Sequence, residues 1–199
     1  MKIGVLALQG AVREHLLLLD RCGVEAVPVH KLGDLPDLDG LVIPGGESTA
    51  IGQLMEECGF LGPLRVLAEH GFPIYGTCAG MIILAERVQG GSVPRLGVMD
   101  ITVRRNSFGR QRESFEADLN ISGLEGKPLR AVFIRAPHVV ETGPGTRVLA
   151  RFGERAVFVQ QGNLMATAFH PELTEDARIH ALFVQRVRDF VKSRTQAHR

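Results

Sequence analysis

The chain has 199 residues, with 23 Lys and Arg against 22 Asp and Glu, a net charge of +1 and 45% hydrophobic residues. That length suits one α/β domain spanning residues 1–199, able to bury a core without disulfide or metal staples. The balanced charge excludes the basic field of a nucleic-acid binder, and no run approaches the ~20 apolar residues that cross a bilayer, so neither nucleic acid nor membrane is expected as a partner. Cys22, Cys58 and Cys78 are widely spaced with no CxxC, which argues against a disulfide framework and a zinc site and fits a reducing cytoplasm. Residues 1–8 are too short an apolar run for a signal peptide and read as a first strand.

Residues 3–8 form a continuous apolar run, the mark of a central parallel strand covered on both faces, and Gln9-Gly10 breaks it before a helix over 11–22. A second strand follows at 24–29, and turn chemistry at 35–40 leads into a third at 41–43. Strands alternating with helices predict an α/β fold of three layers, a doubly wound, mostly parallel central sheet between flanking helices. Ligands collect beyond the C-terminal ends of such strands. There the third strand meets Pro44-Gly45-Gly46-Glu47-Ser48-Thr49, ahead of a helix over 50–58. Paired glycines let backbone N–H groups face outward at a helix start, which suits an anion or a developing oxyanion. A phosphate loop is the rival reading, but the P-loop lysine and spacing are absent. A plain glycine turn with Ser48 or Thr49 as N-cap is compatible with either.

Residues 72–75 read as a short buried strand and 81–87 as the first turns of a packed helix. Between them, Gly76-Thr77-Cys78-Ala79-Gly80 has the form of a nucleophile elbow, its glycines permitting a strained turn that leaves Cys78 at the strand's C-terminal end. The adjoining helix N-terminus would favour a thiolate. An inert buried cysteine is the alternative.

Beyond the elbow, apolar and polar residues alternate over 98–104 and 115–121, which predicts half-exposed strands in mixed or antiparallel pairing in the C-terminal half. The basic and polar stretch 104–112 between them is either a solvated loop or an anion contact. Further short strands are expected at 131–134, 148–150, 156–159 and 164–169, with turn signals at 152–154 and 161–163. The last delivers His170-Pro171-Glu172. Thr174, with Glu175 and Asp176 in the next turn, reads as a helix start. Ile179, Leu182, Phe183, Val187, Phe190 and Val191 then give a long C-terminal helix one apolar face, and residues 193–199 read as a frayed tail.

Cysteine chemistry needs a base for the thiol proton and a third group to hold that base in the correct tautomer. Of seven histidines, His15, His30, His70, His180 and His198 lie in predicted helices, on their edges or in the tail, where a solvated or packing role fits better than catalysis. His138 and His170 both follow predicted strands. His170 has the stronger case, since in an extended segment Glu172 points to the same side and can reach the imidazole across Pro171. His138 has Glu141 nearby at the wrong parity and reads as a substrate-side or structural histidine. A metal on His170 and Glu172 would need further ligands that no HExxH, HxH or Cys pair offers, so no metal is expected.

Gly-Thr-Cys-Ala-Gly at 76–80, Pro-Gly-Gly-Glu-Ser at 44–48 and His-Pro-Glu at 170–172 resemble the class I (triad) glutamine amidotransferases. More narrowly, residues 8–15, 105–111, 133–137 and 169–176 resemble the glutaminase subunits of pyridoxal 5′-phosphate synthases, and the resemblance covers nearly the whole chain. It implies a flavodoxin-like amidotransferase fold, with Cys78 as nucleophile, His170 as acid and base and Glu172 as its orienter. It places L-glutamine on Gly46, Glu47, Ser48, Arg105, Ile134 and Arg135, and the Gly46 and Ala79 N–H groups in an oxyanion hole. It also implies hydrolysis of glutamine to glutamate and ammonia without a cofactor. The implied partner is a (β/α)8-barrel synthase subunit in a dodecameric core, which makes pyridoxal 5′-phosphate as product from ribose 5-phosphate, glyceraldehyde 3-phosphate and ammonia. The alternatives are an amidotransferase serving another synthase, against which residues 105–111 argue, and a non-catalytic glutamine-sensing module, which would not need all of Cys78, His170 and Glu172.

Overall fold

The computed structural model of the chain describes residues 1–107 and 114–197. In chain order the elements are β1 (Lys2–Leu6), α1 (Val12–Arg21), β2 (Glu25–Val29), β3 (Gly40–Ile43), α2 (Ser48–Glu57), α3 (Leu61–Glu69), β4 (Ile74–Thr77), α4 (Ala79–Leu84), β5 (Ala85–Gln89), β6 (Met99–Arg104), β7 (Ser114–Leu119), β8 (Leu129–Ile134), β9 (His138–Thr142), β10 (Thr146–Phe152), β11 (Arg155–Gln161), β12 (Leu164–Thr167) and α5 (Arg178–Ala197).

One large sheet runs β2-β1-β3-β4-β12-β11-β9-β6-β5, with β10 on β11, and β7 pairs with β8 in a separate ribbon. The first five strands of that order are mutually parallel, as the alternation of strands and helices predicts. From β12 onward the pairings to β11, β9 and β6 are antiparallel, in keeping with the alternating C-terminal patterns. Every residue of β3 and β4 is buried, because helices cover both faces and leave no solvent side for a polar residue. Helix α1 packs with α5, and α2 with α4. Successive strand residues face these two layers alternately: a Cβ at Gly40 would lie 2.7 Å from Val187 of α5, while Ile43 lies against Gly80 of α4. Among the described residues no helix is long and apolar enough to cross a membrane.

Several segments differ from expectation. The helix predicted over 81–87 ends at Leu84, and residues 85–89 are strand β5, paired in parallel with β6; tertiary pairing overrides a locally helical sequence. Residues 61–69, where the sequence pattern predicts no element, form α3, whose Gly62 and Pro63 sit in the first turn where a missing N–H is tolerated. His138 follows β8, as expected, and also begins a further strand, β9, that the pattern does not predict. The C-terminal helix starts at Arg178, not Thr174: the Arg178 N–H donates to Asp176 Oδ1, and the Arg178 guanidinium clamps the same carboxylate at 2.6 Å while reaching the Lys127 carbonyl. That helix continues to Ala197, across residues expected to fray, with the Ser193 and Thr195 hydroxyls bonding back to Phe190 and Val191 carbonyls. The loop residues 108–112 lie outside the described residues.

A Cβ at Gly80 would strike the Ile43 carbonyl oxygen, part of a central strand that cannot give way. Gly80→Ala is therefore expected to reduce the unfolding free energy by about 1–3 kcal/mol. Urea melts check this; a midpoint equal to that of the wild type would show that α4 and β3 can separate without loss.

Candidate active site

Thr77 pairs with Thr167 across the parallel ladder of β4 and β12, so the residues after each strand emerge side by side. The Cys78 N–H completes the junction by donating to the Thr167 carbonyl at 2.7 Å. The chain then turns sharply, with Cys78 at φ +50° and ψ −100° immediately before α4. A positive φ on a residue with a Cβ is strained and persists only where surrounding contacts enforce it. Gly76 and Gly80 do not share it: the strain of the predicted elbow sits on the cysteine itself. The glycines serve close approach, since a Cβ at Gly76 would lie 2.5 Å from the Gly80 carbonyl.

His170 leaves β12 with its Nδ1 2.7 Å from Glu172 Oε1, both side chains buried. Residues 171–173 form a 3-10 turn, not the extended segment expected, and the curl of that turn brings the carboxylate back to the ring. The His170 Nδ1–H donates to Glu172, which leaves Nε2 for its hydrogen bond with Cys78. Burial disfavours the imidazolium, but the bonds to Cys78 and Glu172 and their negative charges outweigh it and push the His170 pKa up to about 10.

The glycine loop closes over this pair. A Cβ at Gly45 would lie 2.8 Å from His170 Nδ1 and 3.4 Å from Cys78 Cβ, so only glycine fits. The loop after β1 holds it in place: Ala11 N–H donates to the Gly45 carbonyl at 3.2 Å, and Glu47 N–H to Gln9 Oε1 at 3.0 Å. Gly10, at φ +109°, is the crossing point, where a Cβ would strike the Gly45 oxygen. The N-cap of α2 is Glu47, not Ser48 or Thr49; its carboxylate accepts from the Thr49 and Ala50 N–H groups at 3.0 and 2.8 Å. Desolvation works against the ionised form, but these bonds and Arg105 hold its carboxyl below the usual range. Arg105 Nη2 stands 3.5 Å from Glu47 Oε1 and 3.4 Å from Thr49 Oγ1.

A cleft of about 420 Å³ gathers these groups. Gly46, Glu47, Ser48, Cys78, Ala79, Arg105, Ile134, Arg135 and His170 all line it, with Glu172 behind His170. The Ile134 carbonyl lies 3.9 Å from Cys78 Sγ, and Arg135 follows at φ +42°. Gln9, Gly45, Asn106 and Leu173 also line the cleft; the Gln9-Gly10 break and the paired glycines point to the first two, and the sequence pattern singles out neither Asn106 nor Leu173 as a site residue. His138 is buried opposite Arg104 and is not among the lining residues. Among the described residues no group of three or more His, Cys, Asp and Glu could hold a metal ion.

His15 and His180, read from sequence as solvated or packing residues, are wholly buried. Burial, reinforced by His180 and His170, holds His15 well below the ordinary histidine value, and burial takes His180 from 6.5 to about 4. Both are neutral when folded and gain protons on unfolding below pH 6.5, so stability falls as pH drops from 6.5 toward 4. His170, with its raised value, has the opposite sign: its contribution is complete below 6.5 and is lost as pH rises through about 10. Urea midpoints measured across the acid window are expected to decline, less steeply in His180→Phe; a flat wild-type profile would contradict neutral burial.

The model of the SNO glutamine amidotransferase family matches residues 5–189. A pyridoxal 5′-phosphate synthase subunit PdxT from Pelotomaculum thermopropionicum is 58% identical over 186 residues, covering 94% of this chain and 95% of that one. Its counterpart from Geobacillus kaustophilus is 54% identical over 189 residues, covering 95% and 96%. A crystal structure of a glutamine amidotransferase superposes with a TM-score of 0.89 at 49% identity, covering 93% of this chain and 98% of that chain. A chain of PurLQS from Thermotoga maritima, at 19% identity and a TM-score of 0.67 over 98% of this chain and 98% of its own, shares the fold. Sequence match and sheet topology agree over nearly the full length, and the chain belongs to the SNO glutamine amidotransferase family.

Proposed function

We propose that the chain is the glutaminase subunit of a pyridoxal 5′-phosphate synthase, hydrolysing L-glutamine to L-glutamate and ammonia for a partner synthase subunit. The observation that carries this reading is the alignment of Cys78, His170 and Glu172 at one wall of the cleft, in a chain whose relatives are PdxT subunits.

His170 Nε2 holds the proton given up by the Cys78 thiol, its raised pKa favouring the imidazolium–thiolate pair, and the thiolate attacks the side-chain amide carbon of glutamine. Negative charge grows on the amide oxygen, where the Ala79 N–H at the start of α4 and the Gly46 N–H of the glycine loop receive it. The tetrahedral intermediate collapses as the His170 proton passes to the departing ammonia, leaving a γ-glutamyl thioester. Water, deprotonated by His170, then attacks the thioester and regenerates the thiol. Glu172 keeps Nδ1–H in place throughout, so the ring presents Nε2 to the chemistry. These steps draw on no cofactor; pyridoxal 5′-phosphate is the product of the complex.

Arg105 and Arg135 are the cations at the cleft for the substrate α-carboxylate, with Glu47, Ser48 and Ile134 shaping its seat. The 3.5 Å contact of Arg105 with half-exposed Glu47 is a weak pairing that a substrate carboxylate can displace. The resemblance supplies the partner, a (β/α)8-barrel synthase in a dodecameric core decorated by glutaminase subunits. Gln9 and Gly10, which bond to or abut the glycine loop, would carry the effect of docking to the oxyanion donors.

Glutamate formation, with and without the barrel protein, tests the reading. Stimulation by that synthase and complete loss in Cys78→Ala are expected; activity retained in Cys78→Ala would remove Cys78 from the mechanism. Gly45→Ala, which pushes a methyl into the His170 ring, is expected to lower kcat by at least about tenfold, the scale of a misplaced catalytic group. Wild-type kcat in that variant would show that the loop can retreat.

A further inference from the structure

His15 of α1 and His180 of α5 are 0% exposed, and none of the steps above uses them. His15 Nδ1 lies 2.8 Å from His180 Nε2. His15 Nε2 lies 3.2 Å from the hydroxyl of Thr77, the residue before Cys78, and 3.6 Å from Glu172 Oε1. That carboxylate oxygen is the one bonded to His170 at 2.7 Å, while Glu172 Oε2 has no hydrogen-bond partner among the described residues.

Two neutral imidazoles sharing one contact have two proton arrangements. If His15 donated from Nδ1, the His180 proton would sit on its Nδ1, which has no partner among the described residues, and the His15 Nε2 lone pair would face a carboxylate. A buried orphan N–H and a lone pair against negative charge are both costly. If His180 donates from Nε2, the His15 proton moves to Nε2, directed at Thr77 and Glu172, and only a His180 lone pair goes unmatched. The second arrangement is the favoured one.

We propose that His15, locked in its Nε2–H form by His180, is a positioning residue for the reacting set, holding Glu172 Oε1 toward His170. At 3.6 Å the contact with Glu172 is a dipole–charge attraction beyond hydrogen-bond length, while the bond at 3.2 Å goes to Thr77. A neutral donor suits the task. It steadies the carboxylate without cancelling the charge that supports the His170 imidazolium, which a buried Lys or Arg in its place would do. It also marks one oxygen of a carboxylate whose other oxygen is unheld. The inference rests on the proposed roles of Cys78, His170 and Glu172.

The test compares two polar replacements in the complex with the synthase. His15→Gln keeps an amide donor where Nε2 stood; His15→Asn reaches only the Nδ1 position. Gln is expected to retain kcat within about threefold and Asn to lose about tenfold or more, with KM for glutamine unchanged, the range known for partner groups behind metal-bound ligands. Gln and Asn behaving alike, or a loss confined to KM, would overturn the proposal. Should Asn fail to fold, His180→Phe decides, because it frees the His15 tautomer without touching the carboxylate: a several-fold fall in kcat supports the lock, and wild-type kcat overturns it. Activity surviving in Cys78→Ala would instead take down the functional reading itself, and this inference with it.

Discussion

The pairing of Thr77 with Thr167 is the constraint on which the site depends. A strand advances about 3.3 Å per residue, so a slip of two residues would separate Cys78 from His170 by more than any hydrogen bond can span. A slip of one would send every side chain of the strand to the opposite buried layer. The register is held by burial on both faces: Ile74, Tyr75, Met165 and Ala166 are fully enclosed, and each would be displaced by a shift. A polar thread reinforces it where the strands end. The Tyr75 hydroxyl meets Thr167 Oγ1 at 3.0 Å, and that hydroxyl donates to the Phe169 carbonyl at 3.1 Å.

Into this apolar setting the fold brings one carboxylate, Glu172, with its side chain wholly enclosed. An isolated buried charge is costly, and interactions in low dielectric are correspondingly strong. The carboxylate is tolerable because His170 shares its proton-bearing nitrogen with it, and the same closeness raises the His170 pKa despite burial. The tolerance of the buried charge and the raised His170 pKa have one source. His15 of α1 lies against Glu172 and bonds to Thr77 of β4, the residue before Cys78, which ties the surroundings of the carboxylate to the cysteine turn.

The opposite wall works by backbone approach. Gly45, Gly76 and Gly80 each occupy a position where a Cβ would overlap an imidazole ring or a carbonyl, so helix α4, strand β3 and the glycine loop pack closer than side chains permit. The loop after β1 touches this wall through Gln9 and Ala11, which joins the first βα connection to the donors around Cys78. A movement of residues 9–11 cannot leave Gly45 to Glu47 undisturbed.

Composition and periodicity by themselves determined the strand and helix alternation of the N-terminal half, because runs such as 3–8 and 41–43 are continuously apolar only where helices cover both faces. The three motif segments at strand ends fixed which residues could meet, since parallel strands place their C-terminal ends at one edge of the sheet. Only the tertiary structure decided the rest. It made residues 85–89 a strand, because β6 offered a ladder that local helix propensity could not resist. It moved the strain of the elbow onto Cys78 and gave the α2 cap to Glu47, both outcomes of how loops are closed by distant contacts. It decided between the solvated and packing roles open to His15 and His180, 165 residues apart, by burying both and setting His15 against Glu172. No local pattern carries that pairing, because it exists only where α1 and α5 lie against the same face of the sheet.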